Sequence, residues 1–170
     1  MRMSIRSRLV AFVAVLVSTT AFAAPADVPL IDAVTAGDVA AVRGLLDEGA
    51  DVETATPDGA TALLWAVHAD QPEVVTLLIA AGASVDVTNR YGVGPASLAA
   101  ENGNATILSA LLDAGLGANE TMPGGETLLM TAARTGDAAT VRALLSRGAD
   151  PNRREQTRGQ TALMWAAANN

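Results

Sequence analysis

The chain contains no cysteine and no lysine, and histidine occurs once among its 170 residues. Disulfide bonds are therefore excluded, and the stability of the fold must come from packing alone. Cys–His and Ser–Lys catalytic pairs and histidine-rich metal sites are excluded for the same reason. Aromatic residues make up only 3% of the chain, whereas hydrophobic residues make up 50%. These proportions predict a core of Ala, Leu and Val in which helices pack closely.

Basic residues are also scarce, and they are unevenly distributed. All 11 are Arg, and 3 of them lie within the first 23 residues. The remainder of the chain has 8 Arg against 18 Asp and Glu, a formal net charge of −10. This excess of acid argues against non-specific nucleic-acid binding, which requires a basic face. Six of those Arg lie within residues 134–158. The part of the chain before residue 134 is therefore acidic, whereas residues 134–158 are locally basic.

Residues 1–23 have the three parts of a secretory signal peptide. Three arginines precede an apolar run at residues 9–17, and Ala21-Phe22-Ala23 forms a cleavage box. The run is too short to span a bilayer by itself, although an uncleaved N-terminal anchor helix is the alternative. The pattern predicts export through the Sec pathway with cleavage after Ala23. The expected location is periplasmic or secreted, with no membrane attachment after cleavage.

An apolar pattern recurs every 33 residues in the remainder of the chain. Each copy reads V-x-x-L-L-x-x-G or a close variant, and the copies begin at Val42, Val75, Leu108 and Val141. A second series keeps the same spacing, with one slip of a residue before its last member: Ala33, Ala66, Ala99, Ala132 and Ala166. A fixed period of this length indicates a solenoid whose units must stack in order to bury their apolar faces. Most enzyme architectures are thereby excluded.

Each unit is predicted to contain two helices joined by a short turn. The first is a short apolar segment, and the second carries an apolar stripe at positions i, i+3 and i+4. Polar residues suited to begin the second helix follow the turn in three units: Asp38, Asn104 and Asp137. Glycines suited to end it follow in all four: Gly49, Gly82, Gly115 and Gly148. Polar segments ending in Gly59, Gly92, Gly125 and Gly159 are predicted to form hairpin loops.

This pattern resembles the ankyrin repeat family. The family consensus runs D-G-x-T-P-L-H-x-A-A and then G-x-x-x-x-V-x-x-L-L-x-x-G-A-D. The chain offers PDGATALLWAV (57–67), GETLLMTAARTGD (125–137), LLDEGAD (45–51) and LLSRGAD (144–150). The resemblance covers residues 28–170 and implies an all-α repeat solenoid of helix-turn-helix units joined by β-hairpin-like loops. Within a domain of residues 24–170, the units span about 28–59, 60–92, 93–125, 126–159 and, as a partial unit, 160–170.

The chain also departs from the family pattern. The His of the first helix is replaced in four units by Leu64, Ser97, Met130 and Met164. The third unit has Gly94 in place of Thr and Ala96 in place of Leu, and the loop at 149–159 has one extra residue. Asp32 replaces an apolar residue, as expected of a terminal capping unit. Leu163 and Trp165 have no second helix to cover them, so we expect the sequence to be part of a longer protein.

No motif in the sequence predicts catalysis, a cofactor or a bound metal. His68 would have to serve any Ser-His-Asp triad, yet no Ser lies in a G-x-S-x-G motif. We interpret His68 as a surface residue. The acidic loop at 51–59 does not have the spacing of a calcium-binding loop.

Two classes of function remain: a non-catalytic protein-interaction module, or a regulatory or targeting domain of a larger exported enzyme. The family resemblance implies a monomer that contacts a protein partner on a concave face. By repeat alignment, the contact residues are Asp58, His68, Arg90, Tyr91, Glu101, Asn102, Glu126, Arg134, Arg158, Gln160 and Asn169. Tyr91 and Arg90 are the predicted anchor, since Tyr and Arg are frequent interface hot spots. Arg153, Arg154 and Arg158 are predicted to steer an acidic part of the partner.

Overall fold

A computed structural model describes residues 29–168, and the predicted signal peptide and Asn169 lie outside these residues. The described part contains nine α-helices and no extended strand. The helices are α1 (Pro29–Thr35), α2 (Val39–Asp47), α3 (Ala62–His68), α4 (Pro72–Ala80), α5 (Pro95–Glu101), α6 (Ala105–Asp113), α7 (Leu128–Thr135), α8 (Ala138–Ser146) and α9 (Ala162–Ala168). The predicted all-α solenoid is confirmed.

The helices are arranged in two rows. The first helices of the units (α1, α3, α5, α7 and α9) pack each against the next, and so do the second helices (α2, α4, α6 and α8). One apolar cluster runs through the stack from Leu30 to Ala162. Because no unit has a separate core, removing apolar contact in one unit weakens its neighbours as well.

The second helices begin and end where the sequence predicts. The side chains of Asp38, Asn104 and Asp137 accept hydrogen bonds from backbone N–H groups three residues later, at 2.9, 2.8 and 2.6 Å. These bonds satisfy N–H groups that have no partner within the helix. The φ angles of the four closing glycines lie between +85° and +105°, in the left-handed region that residues with a Cβ rarely adopt.

The segments between units form narrow hairpins whose tips are linked from unit to unit. Backbone bonds such as Asn89 N–H to the Val93 carbonyl, at 3.0 Å, close the hairpins. The Arg90 N–H then donates to the Asp58 carbonyl at 3.0 Å, and the Gln156 N–H donates to the Gly124 carbonyl at 2.9 Å. The corresponding donor between the second and third units would be Pro123, which has no N–H.

The third unit compensates in part for its unusual residues. The N-cap residues of α3 and α7 are Thr61 and Thr127, and each accepts a hydrogen bond with its side chain. The N-cap residue of α5 is Gly94, which has no side chain. The Ser97 hydroxyl instead bonds the Gly94 backbone, accepting from its N–H at 3.1 Å and donating to its carbonyl at 2.7 Å. Ala96 lines an open cleft of about 490 Å³. Its side chain is shorter than that of the Leu in the same register of other units.

The two ends of the stack differ. Asp32 in the first unit is exposed, as predicted for a capping unit. At the other end, 77% of Leu163 is exposed. Trp165, in contrast, is half-buried and packs against the apolar cluster. Its indole is large enough to reach the core from α9 alone.

Candidate protein-binding surface

The tip of the second hairpin, which ends at Gly92, presents Arg90 and Tyr91 as an ordered pair. The Arg90 guanidinium carbon lies 4.9 Å from the centre of the Tyr91 ring, and its Nη2 donates to the Tyr91 hydroxyl at 2.8 Å. The Asn89 side-chain oxygen accepts from the backbone N–H groups of Tyr91 and Val93, both at 3.0 Å. The tip is therefore held in shape from within, although 66% of Tyr91 is exposed.

Asp58 lies at the tip of the preceding hairpin, beside this pair. Its carboxylate accepts a hydrogen bond from the Thr56 hydroxyl. This bond is the main cause that lowers the pKa of Asp58, and the nearby positive charge of Arg90 lowers it further. Both effects favour the ionised carboxylate. The two neighbouring tips thus present a fixed negative charge next to a fixed positive one.

A cleft of about 170 Å³ opens below these two tips. Asp58, Trp65, His68 and Leu98 are among the residues that line it. The rings of Trp65 and His68 meet edge to face with their centres 5.9 Å apart. Within residues 29–168, the buried Nε1 of Trp65 has no hydrogen-bond partner. The cleft therefore combines apolar surface with a charged rim, and its wall includes Trp65, whose buried indole N–H is unsatisfied in the described chain.

A second cleft, of about 260 Å³, lies between the third and fourth hairpins. Glu126, Arg158, Gln160 and Trp165 contribute to its walls. Trp165 follows the repeat register of Trp65, so each cleft has a tryptophan from a first helix in its wall. The Glu126 carboxylate accepts from the Thr131 hydroxyl at 2.8 Å, which fixes one wall of the cleft.

The residues predicted at the ends of the first helices are placed differently from those at the hairpins. Arg134 and Glu101 form an ion pair at 3.8 Å between α7 and α5. The Asn102 side-chain amide donates to the Val67 carbonyl at 3.2 Å and so joins the third unit to the second. His68 is exposed at the end of α3. Glu101, Asn102 and Arg134 therefore already make contacts between units, whereas His68, at the edge of the first cleft, contacts Trp65 of its own helix.

Sequence reasoning missed Glu155, which organises the lengthened loop. Its carboxylate accepts from the N–H groups of Thr157, Arg158 and Gln160 at 2.5, 2.7 and 2.9 Å. Only 7% of Glu155 is exposed. The bond from Gln160, followed by the other backbone bonds, lowers the pKa of Glu155. Its position in the sequence gave no sign of this role, because the three donors converge only in the folded loop.

The loop arranged by Glu155 presents the predicted basic residues. Arg153, Arg154 and Arg158 are all exposed. Arg154 donates through Nη1 to the Gly159 carbonyl at 2.6 Å, so its charge is held close to the loop. Arg158 lies at the second cleft, and Arg153 and Arg154 lie outside its lining.

The surface as a whole has two centres. We use the name hairpin face for the two clefts and their tips, namely Asp58, Trp65, His68, Arg90, Tyr91, Glu126, Arg158, Gln160 and Trp165.

Across residues 29–168, no three His, Cys, Asp or Glu residues lie close enough together to hold a metal ion. Within the same residues, no helix has the length and apolar character needed to cross a bilayer.

Comparison with known families agrees with this architecture. The family profile described as ankyrin repeats (3 copies) matches residues 20–89 and 96–170. The chain belongs to the ankyrin repeat family. No curated protein matches the chain significantly. Ankyrin repeats are typically non-catalytic modules that bind proteins, so membership indicates a protein partner for this chain.

Proposed function

We propose that this ankyrin repeat protein is an exported, non-catalytic scaffold that binds a protein partner on its hairpin face. Family membership supports a protein partner, and the signal-peptide pattern of residues 1–23 supports export. The observation that carries the choice of surface is the Arg90–Tyr91 pair. It is exposed and internally ordered, and it lies beside a cleft with an apolar wall.

The Arg90–Tyr91 pair is suited to be the anchor of the interface. Tyr and Arg are enriched among residues that contribute most of the binding free energy. Because the hairpin and the ring–guanidinium contact already restrict both side chains, binding costs less side-chain entropy than it would for free ones. A partner residue that enters the adjacent cleft would meet the Trp65 indole and the Asp58 carboxylate.

The basic loop is suited to guide the approach of the partner. Arg153, Arg154 and Arg158 are exposed in a chain whose remaining surface is mainly acidic. An acidic patch on the partner would be attracted to this loop, which raises the association rate more than the final affinity. This contribution should weaken as the salt concentration rises, because salt screens exposed charges.

Capture of the native partner from the exported fraction, followed by titration against variants, tests this proposal. Tyr91→Ala should weaken binding by more than about fivefold, as expected for a hot-spot aromatic. Replacing Arg153, Arg154 and Arg158 together by Ala should reduce the salt dependence of the association rate. Arg43→Ala is the control, since Arg43 is an exposed arginine on α2, away from the hairpins.

Each variant must first be shown to unfold at the same denaturant concentration as the parent chain. Unchanged affinity in Tyr91→Ala, together with unchanged salt dependence in the triple variant, would place the partner on another surface. A loss of binding in Arg43→Ala equal to that in Tyr91→Ala would have the same meaning.

A further inference from the structure

The third unit contains an Asn-Gly pair, Asn102 and Gly103, at the turn between α5 and α6. The side chain of an asparagine can be attacked by the backbone nitrogen of the next residue, and a Cβ on that residue hinders the approach. Among the asparagines of the chain, Asn102 alone is followed by Gly. The next residue carries a Cβ at Asn89, Asn104, Asn119 and Asn152. The pair is therefore the position in the chain at which this attack is least hindered.

The side-chain amide of Asn102 links the third unit to the second. Its Nδ2 donates to the Val67 carbonyl at 3.2 Å. One unit earlier, the Gln71 Nε2 donates to the Val34 carbonyl at 3.1 Å, and Val34 has the register of Val67. The same carbonyl position is thus held twice by an amide of the following unit. In the second of these links, the donor is the group that an Asn-Gly pair is prone to lose.

Deamidation replaces that amide by a carboxylate in two steps. The Gly103 nitrogen gives its proton to hydroxide and attacks the Asn102 Cγ, so that an N–Cγ bond forms. The Cγ–Nδ2 bond breaks, and the leaving nitrogen takes a proton from water and departs as ammonia. Water then opens the resulting succinimide at either of its carbonyls, which gives aspartate or isoaspartate. Asn102 is exposed, so hydroxide and water can reach it.

The closed stack opposes the first step. Asn102 has helical backbone angles, φ −71° and ψ −13°, and ring closure requires its backbone to rotate so that the Gly103 nitrogen faces Cγ. The Asn102 N–H donates to the Leu98 carbonyl at 2.8 Å, and its Nδ2 is held at the Val67 carbonyl. Both bonds resist the rotation. The reaction therefore requires a local opening at the end of α5.

We propose that the Asn102–Gly103 bond is a site of spontaneous deamidation, controlled by opening of the third unit, whose product weakens the link to the second unit. A carboxylate at position 102 has no proton to donate to the Val67 carbonyl. Its negative charge lies next to Glu101 and at the C-terminal end of α5, where the helix dipole disfavours it. Isoaspartate also lengthens the backbone by one methylene, just before the left-handed turn at Gly103. Each opening that leads to reaction therefore makes the next opening easier.

The rate at each asparagine tests the site. The complete 170-residue chain is incubated in mildly alkaline buffer, and samples taken over time are digested and analysed by mass spectrometry. Asn102 should deamidate several-fold faster than Asn104, the internal control two residues away. The product should contain both aspartate and isoaspartate, because the succinimide opens at either carbonyl. In urea, the rate at Asn102 should rise several-fold further, because opening no longer limits the reaction.

Three variants test the structural consequence. Asn102→Asp reproduces one product, so it should unfold at lower urea concentration than the parent and exchange its amides faster in residues 94–117. Asn152→Asp is the matched control, since it makes the same substitution at an exposed position of the loop at 149–159, and it should unfold like the parent. Asn102→Gln keeps a side-chain amide but must form a larger ring to cyclise, so deamidation at position 102 should stop.

Three results would overturn the proposal. Equal rates of deamidation at Asn102 and Asn104 would show that the Asn-Gly pair is not a preferred site. Equal rates at Asn102 in buffer and in urea would show that the stack does not control the reaction. If Asn102→Asp unfolded at the same urea concentration as the parent, the product would not weaken the link between units. No partner enters these measurements, so their outcome is independent of the proposed binding at the hairpin face.

Discussion

Single residues in this protein have roles that depend on how the backbone converges around them. Glu155 is the clearest example, since its carboxylate accepts three backbone hydrogen bonds within the lengthened loop. An acidic residue in a polar loop is ordinary in sequence, so this role could not be predicted. Asp137 shows the opposite case, because its place directly before a helix predicted the hydrogen bond that the structure shows.

The charge of Glu155 should stabilise the chain at neutral pH. Because its pKa is lowered in the folded state, the stabilisation is present above the unfolded-state pKa and is lost as the pH falls through the lower folded-state value. Glu155→Gln should therefore unfold at lower urea concentration than the parent at about pH 7, and the difference should shrink towards about pH 2. Glu120→Gln, an exposed acid in the preceding loop, is the control. A difference that is constant with pH would contradict the assigned role of the charge.

Adjacent leucines on α8 provide a test of the packing. Leu144 is fully buried, whereas Leu145 is 44% exposed. Leu144→Ala should reduce the free energy of unfolding by on the order of 2–5 kcal/mol, because it leaves a cavity between helices. Leu145→Ala should cost below about 1 kcal/mol, as is usual for exposed positions. If the two variants lost the same free energy of unfolding in urea, Leu144 and Leu145 would be equally buried, which contradicts the structure.

At the scale of helices and hairpins, the sequence was most informative where structure is local. The helix-starting residues and closing glycines act within a few residues of the chain, so the ends of α2, α6 and α8 followed from the sequence. The two clefts of the hairpin face could not be predicted, because each joins residues of neighbouring units. The link from Asn102 to the Val67 carbonyl was missed for the same reason. That Asn102 contacts a partner stays a prediction.

The third unit is expected to be the least stable of the inner units. Gly94 and Ala96 remove side-chain contact there, and Pro123 cannot donate the bond that links hairpin tips elsewhere. Amide exchange should therefore be faster in residues 94–117 than in residues 61–82. Ala96→Leu should slow exchange in the third unit if the open cleft beside Ala96 accommodates the larger side chain. Equal protection of the two segments in the parent chain would contradict this expectation.

At the scale of the whole molecule, charge and packing divide the stack into distinct regions. The first units are acidic, whereas six arginines lie within residues 134–158, a segment that includes the basic loop. The hairpin face extends over several units because each unit contributes one tip and one first helix. An arrangement of this kind allows one chain to contact a partner at separated points, so the binding free energy need not come from a single pocket.

The proposed export would determine where such a partner is met, and residues 1–23 provide its test. If the apolar run at 9–17 directs the chain into the Sec pathway, the mature protein should begin at Ala24 and be recovered outside the cytosol. Val13→Asp combined with Leu16→Asp should retain the uncleaved chain in the cytosol, because two charges interrupt the run. Val13→Leu, which preserves its apolar character, should be exported normally. N-terminal sequencing of each fraction tests whether the signal peptide is cleaved. If the parent protein is found in the cytosol and still begins with Met1, the prediction of a cleaved signal is wrong. The proposed partner would then have to be sought inside the cell.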